Sequence, residues 1–368
     1  MKKIIALSLA LAMCFALCAC GAAPTPAAAP APAAPAAPAE ADEPAQAAAA
    51  DPYEALESVE LIGADSTGKG AAGQVFGEYV VQRVSEITGG KLTIDYHPNA
   101  ELGGDADLLR QMQSNDIQIV VCQTAPTVSF IPEMAVFDLP MVFSKYDGDT
   151  IDNVLNGEND FTAALGTAYE KSGLHLLGFL QNATYRLTTA NVELKTLPSF
   201  KALQIRTMEN KNHMAFWTAI GAEPTPLAWP EVYIALQNGT IDAEENAADT
   251  CVGANFQEVQ KYLACTNHIL YCNQICINMD AYNALDPAYQ AALDQAVAEA
   301  IEYMRPQLEK IDTDNKQILI DGGMTLIEYD NAFYDEVLAL DGVQALYKDI
   351  DENQVSGLGT LLVSELGK

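Results

Sequence analysis

Three short stretches carry the residue types suited to holding a small anion. Leu203-Gln204-Ile205-Arg206 ends an apolar run on an arginine, Trp229-Pro230-Glu231 sets an aromatic where a helix opens, and Ile241-Asp242-Ala243-Glu244-Glu245-Asn246 ends another run on an amide. In an open α/β sheet, ligands collect in the crevice outside the carboxyl ends of the strands. A guanidinium there can grip a carboxylate with two parallel hydrogen bonds. An indole face offers a wall for a carbon skeleton, and an asparagine amide can both donate and accept. Arg186, opening Arg186-Leu187-Thr188-Thr189, could add a second positive charge. Each residue also has a structural reading: Arg206 could pair with Glu231 or Glu245, Trp229 could be core, and Asn246 could cap a turn.

The elements that must position these residues follow from hydrophobic periodicity. An apolar run at Val59–Gly63 precedes a helix carrying Val75, Phe76, Tyr79, Val80, Val84 and Ile87 on one face, stopped by Gly89-Gly90. Leu92, Ile94 and Tyr96 alternate as a strand. Asp105 can cap a helix with Leu108, Leu109 and Met112, and Ile117–Cys122 reads as a buried strand. This rhythm predicts a parallel sheet with helices on both faces. Beyond it, the pattern predicts a helix near Thr150–Lys171, strands at Leu174–Leu180 and Leu203–Arg206, a helix near Asn210–Ile220, and a helix opened by Pro230. Strands near Thr240–Asp242 and Leu270–Asn278 follow. A helical tract from about Pro287 to Ile320 contains Pro306, which should kink or interrupt it.

Composition narrows the class. Met1-Lys2-Lys3 and the apolar run Ile4–Leu17 form a signal peptide, and Leu17-Cys18-Ala19-Cys20-Gly21 resembles a bacterial lipobox, with cleavage before Cys20 and lipidation of its thiol. The Ala/Pro-rich stretch that follows is an extended tether. A formal net charge of −31 argues against nucleic acid as a partner. It also repels anions at long range, so an anion site must be a local cationic exception. Five body cysteines (Cys122, Cys251, Cys265, Cys272, Cys276) lack C-x-x-C spacing and read as apolar fillers, while His97, His175, His213 and His268 are scattered, so no metal is expected. The loop Gly63-Ala64-Asp65-Ser66-Thr67-Gly68-Lys69-Gly70 approximates a phosphate loop but has Gly70 where a hydroxyl is required. No nucleophile-and-base pairing is evident, and neither a cofactor nor an enzymatic activity is expected.

Several long ordered motifs resemble one family. LTIDYHPNAELG at Leu92–Gly103, FDLPMVF at Phe137–Phe143, LQIR at Leu203–Arg206, Gly221–Gln237, Ile241–Asn246 and Glu258–His268 are similar to the solute-binding receptors of tripartite ATP-independent periplasmic (TRAP) transporters, in the branch that takes C4-dicarboxylates and sialic acid. The resemblance implies a two-lobed α/β fold, like that of periplasmic binding proteins, with crossing hinge strands and a long helix spanning both lobes. By motif match, Arg206 takes the role of the arginine that pairs with a ligand carboxylate. Arg186 matches a second basic position, Asn246 an asparagine holding the same group, Trp229 an aromatic pocket position, and Gln123 a position that varies with ligand, as do residues of the Gly63–Gly73 turn. Where the family carries Asp-Gly-Gln-Glu-Asn-Pro, this chain has Asp242-Ala243-Glu244-Glu245-Asn246-Ala247.

These readings give a set of expectations. Residues 1–19 are a lipoprotein signal and 20–52 a tether. Lobe I comprises 53–183 with 272–311 returning to it, and lobe II 184–271 with 312–368. The protein is expected to be a monomeric, lipid-anchored receptor that captures a small organic carboxylate and delivers it to membrane subunits. The alternatives are a receptor for an uncharged or aromatic ligand with Arg206 structural, or an extracellular lipoprotein enzyme or adhesin.

Overall fold

The computed structural model describes residues 51–368; the expected signal peptide, the expected lipidation site Cys20 and the expected tether up to Ala50 lie outside the described residues. The described chain opens β1 (Val59–Asp65), α1 (Ala72–Ile87), β2 (Leu92–His97), α2 (Asp105–Gln113) and β3 (Ile119–Gln123). In α1, Phe76, Val80 and Val84 recur every four residues and are buried on one face. Gly89 and Gly90, with φ of 59° and 80°, end that helix in a conformation side chains resist. All five residues of β3 are buried, as a strand covered on both faces requires. Asp105 is the first residue of α2 rather than its cap, which is Gly104.

Next come α3 (Thr124–Thr127), α4 (Gly148–Leu155), α5 (Asp160–Lys171) and β4 (Leu174–Leu180). The single helix expected over 150–171 is thus two. Asn156 breaks it because its amide pairs like a neighbouring strand with both the N–H and C=O of Phe179, each at 2.9 Å. Asn159 then starts α5 with a reciprocal capping box to Thr162.

The chain crosses to β5 (Leu187–Ala190), β6 (Gln204–Thr207), α6 (Lys211–Ala219), β7 (Glu223–Pro226), α7 (Val232–Gln237), β8 (Ala243–Asn246), α8 (Ala248–Gly253) and β9 (Tyr262–Ala264). It recrosses to β10 (Asn273–Asn278), α9 (Met279–Ala284) and α10 (Pro287–Asp321), and ends in β11 (Thr325–Ile327), α11 (Asn331–Leu338), α12 (Asp341–Lys348) and α13 (Leu358–Leu366).

Two sheets result, ordered β2-β1-β3-β10-β4 and β11-β9-β5-β8-β6-β7. The expected all-parallel sheet is only partly present. β1 is parallel to β2 and β3, but β10 runs antiparallel to both β3 and β4, because the chain re-enters this sheet from the opposite end. In the second sheet, β6 is parallel to β7 and β8, whereas β5 is antiparallel to β8 and β9.

Helix α10 runs 35 residues through Pro306, so of the expected kink or interruption the interruption does not occur. The proline forfeits one hydrogen bond, to the carbonyl of Glu302, and that residue is exposed, so water can replace the donor. Its face Tyr289, Ala292, Leu293, Ala296, Val297, Ala300, Ile301, Met304 and Leu308 is buried, and it packs on α1, β4 and α8. After β11 joins the second sheet, α12 packs on α6, but α13 crosses back to pack on α4 and α5. The expected return of the whole 312–368 tail to lobe II therefore does not describe α13, whose Leu362 and Leu366 share a buried cluster with Phe161 and Leu165. Among the described residues, no helix is long and apolar enough to cross a membrane.

Candidate functional site

The carboxyl ends of β3, β6 and β8, with the segment entering β5, converge on one cavity of about 150 Å³. All five positions singled out from the sequence body line it: Gln123, Arg186, Arg206, Trp229 and Asn246. Ser66 and Thr67, from the turn after β1, complete one side with Asp105.

The two arginines are equally buried but differently engaged. Arg186, 2% exposed, donates from Nε to Glu245, from Nη1 to the Gln123 side chain, and from Nη2 to the Glu245 carbonyl at 2.8 Å and Asn246 Oδ1 at 3.1 Å. Burial opposes its charge, yet Glu245 more than offsets this and holds the proton more firmly than usual. Arg186 therefore fastens the end of β3 to the end of β8. Arg206, 3% exposed, donates only from Nε, to the Leu227 carbonyl at 2.9 Å. Its guanidinium carbon lies 5.6 Å from the centre of the Trp229 ring. Among the described residues, Nη1 and Nη2 of Arg206 have no hydrogen-bond partner. Desolvation pulls its pKa down to about 10, with Glu244 and Glu245 acting in the other direction. A buried guanidinium that directs donors toward a cavity is chemically suited to receive an anion.

Asn246 is spoken for on both ends: Oδ1 accepts from Arg186 and Nδ2 donates to Glu244 Oε2 at 3.2 Å. Trp229 is half-buried, edge-on to Phe256 at 5.7 Å. Asp105 accepts from the Ser66 hydroxyl and, at 3.4 Å, from the Gln123 N–H. Desolvation raises its pKa to about 6.

A buried polar network that sequence reasoning missed lies behind the cavity. Glu245, expected as a possible partner of Arg206, pairs instead with Arg186, and also meets His213 Nδ1 and His268 Nε2, each at 3.2 Å. His213 Nε2 reaches Asp138 Oδ1 at 3.1 Å, and Asp138 Oδ2 accepts from Asn210 at 2.9 Å and Asn212 at 3.0 Å. Burial opposes charge on His213, but Glu245 and Asp138 raise its pKa to about 9; burial lowers that of His268. Burial likewise opposes the Glu245 charge, but Arg186 and His213 hold its carboxyl well below the usual range. The histidines are thus not all scattered. His213, His268 and Glu245 place three ligand-type atoms within 4.8 Å of one another, but Arg186 already supplies a cation to Glu245 and would repel a metal there. The five body cysteines are free and buried.

The chain belongs to bacterial extracellular solute-binding protein family 7, whose model matches residues 69–358. Its members are substrate-binding transport proteins that work outside the cytoplasm, and the TRAP receptor resemblance read from the motifs stands within it. The chain is 27% identical to the sialic acid-binding periplasmic protein SiaP of Vibrio cholerae, over 77% of this chain and 84% of that protein. It is 28% identical to the C4-dicarboxylate-binding periplasmic protein DctP of Rhodobacter capsulatus, over 75% and 81%. A TRAP periplasmic solute-binding protein from Desulfovibrio salexigens superposes with a TM-score of 0.78 at 24% identity, covering 84% of this chain and 98% of that one.

Proposed function

We propose that this receptor captures a small organic carboxylate, with Arg206 as its principal partner. One observation carries the reading: a guanidinium only 3% exposed turns Nη donors without a protein partner among the described residues toward a cavity, beside an indole that can cover the ligand's carbon skeleton. The named ligands of the two relatives, sialic acid and C4-dicarboxylates, share a carboxylate. The cavity suits a molecule of about six heavy atoms, the size of a benzene ring, which a void of that volume accommodates. Arg186, Gln123 and Asn246 form the floor against which Arg206 is aimed, and Asp105, Ser66 and Thr67 face the ligand's far end, where hydroxyl donors are favoured over a second carboxylate. No catalytic step is assigned to the site.

The wider reading is that of a clamp. Lobe I is built on the first sheet (53–183, 272–311 and α13) and lobe II on the second (184–271 with β11 and α12), and the lobes close on the ligand and present it to membrane subunits. Residues 1–19 are removed, Cys20 is lipidated, and 21–52 tether a monomeric body outside the membrane.

Removing one partner of a desolvated charge pair typically costs about 3–5 kcal/mol, so Arg206→Ala is expected to weaken binding at least about a hundredfold. A thermal-shift panel of organic acids, sugar acids and neutral metabolites, followed by calorimetry of native and R206A protein, tests this. Equal affinities, or stabilisation by neutral compounds alone, would sink the carboxylate reading.

A further inference from the structure

One buried acid lies behind the cavity wall, beside Arg206 and Asn246, and has no role in the binding scheme above. Glu244 is completely buried and is the ladder partner of Arg206 between β8 and β6, with both side chains on one face of the sheet. No Lys, Arg or His forms an ion pair with it among the described residues. Its Oε1 accepts from the Thr189 hydroxyl at 3.0 Å and the Cys251 thiol at 3.4 Å, and its Oε2 from Asn246 Nδ2. Glu245, next in sequence, is already matched by Arg186 and His213. Glu244 and Arg206 are therefore a buried acid and a buried base on one sheet face, neither in an ion pair among the described residues, and each biases the other's ionisation.

We propose that Glu244 is the resident counter-charge of Arg206, and that a ligand carboxylate displaces it from that role while Glu244 takes up one proton. This rests on the carboxylate reading. The physical reason is charge count. An empty site can hold an ionised Glu244 against Arg206, but a ligand carboxylate adds a second anion beside a single unfilled cation in a desolvated space. Two carboxylates sharing such a site cannot both remain ionised at ordinary pH. The proton comes from solvent, and its O–H bond forms on a Glu244 oxygen. Thr189 can receive the resulting hydrogen bond, because a hydroxyl accepts as readily as it donates.

The groups that face Glu244 are Arg206 from β6, Asn246 from β8, Thr189 from β5 and Cys251 from α8, while Glu245, on the opposite face of β8, acts on it through charge alone. Burial already disfavours its charge. A bound anion disfavours it further, so the carboxyl has a higher pKa in the complex than in the free protein. Binding is then tightest at low pH and weakens as pH rises toward the pKa of the complex, with proton uptake greatest between the two values. The residue also affects choice of ligand, since an acid carrying its own proton or an uncharged isostere needs no uptake.

The test is calorimetric titration of the full mature protein with lactate and with glycerate, small hydroxy acids of the cavity's size that stay ionised throughout, in buffers of differing ionisation enthalpy, from pH 5.5 to 8.5. The native protein should take up as much as one proton per ligand, and its Kd should rise about tenfold per unit shift in pKa across the window. Glu244→Gln, which keeps the shape and an acceptor oxygen, should bind at least as tightly at pH 8 and show no uptake. Asp105 faces the same cavity and also titrates in this range; Asp105→Asn can weaken binding, but the protons taken up per ligand bound should persist in it. Uptake that survives in E244Q but disappears in D105N, or binding to native protein with no uptake at any pH, overturns the inference while leaving the carboxylate site intact. Failure of every acid to bind overturns both.

Discussion

At the scale of single residues, the difference between Arg186 and Arg206 is one of vacancy. Both are buried and both line the cavity, but one is consumed by Glu245, Gln123 and Asn246 while the other keeps its Nη donors free. His213 has an equally definite electrostatic signature. Its pKa is raised from 6.5 to about 9 in the folded state, so its contribution to stability is complete below pH 6.5 and is lost as pH rises through about 9. Relative to a His213→Gln variant, the native protein should lose on the order of 2 kcal/mol between pH 7 and 10. Thermal unfolding of both proteins across that range measures it, and parallel curves would refute it. The arginine, indole and amide were legible in the sequence because each lies at or next to the end of an element bordering the cavity. Which acid meets which arginine was not. That choice depends on the β5–β8 register, Leu187 opposite Asn246, and on α6 delivering His213 to an acid 32 residues away.

At the scale of elements, strongly periodic stretches were readable almost to the residue: α1, β2, β4 and α6 follow from buried spacing and from Asn or Gly at their ends. Strand direction was not, since local periodicity carries no sign, and β10 antiparallel to β3 follows from where the chain comes back. Nor was the split between α4 and α5, which turns on the contact between Asn156 and Phe179. Of the two outcomes expected at Pro306, a kink or an interruption, the interruption does not occur, because the cost depends on whether water can reach the carbonyl it orphans. That account is testable. Pro306→Ala restores an intrahelical bond and removes a residue disfavoured in helix interiors, and should stabilise the protein by about 1 kcal/mol, raising Tm by roughly 2–4 °C. A lower Tm would show that the proline's shape is needed where α10 passes between α1, β4 and α8.

At the scale of the molecule, a formal charge of −31 surrounds a site built for an anion. Long-range repulsion slows encounter, and the Debye length falls from about 30 Å at 0.01 M salt to about 8 Å at 0.15 M. The association rate for an organic anion should therefore rise with ionic strength while dissociation changes less; stopped-flow rates that fall with salt would contradict this. The sheet order β2-β1-β3-β10-β4 has a further consequence. Its fourth strand is made last, about 90 residues after its neighbour β4, which ends at Leu180. Until the ribosome has passed Asn278, β3 and β4 have no strand to join them. A nascent chain of this design stays open for most of its synthesis, threadable through a narrow pore, and acquires its first complete sheet only once most of its length has been made.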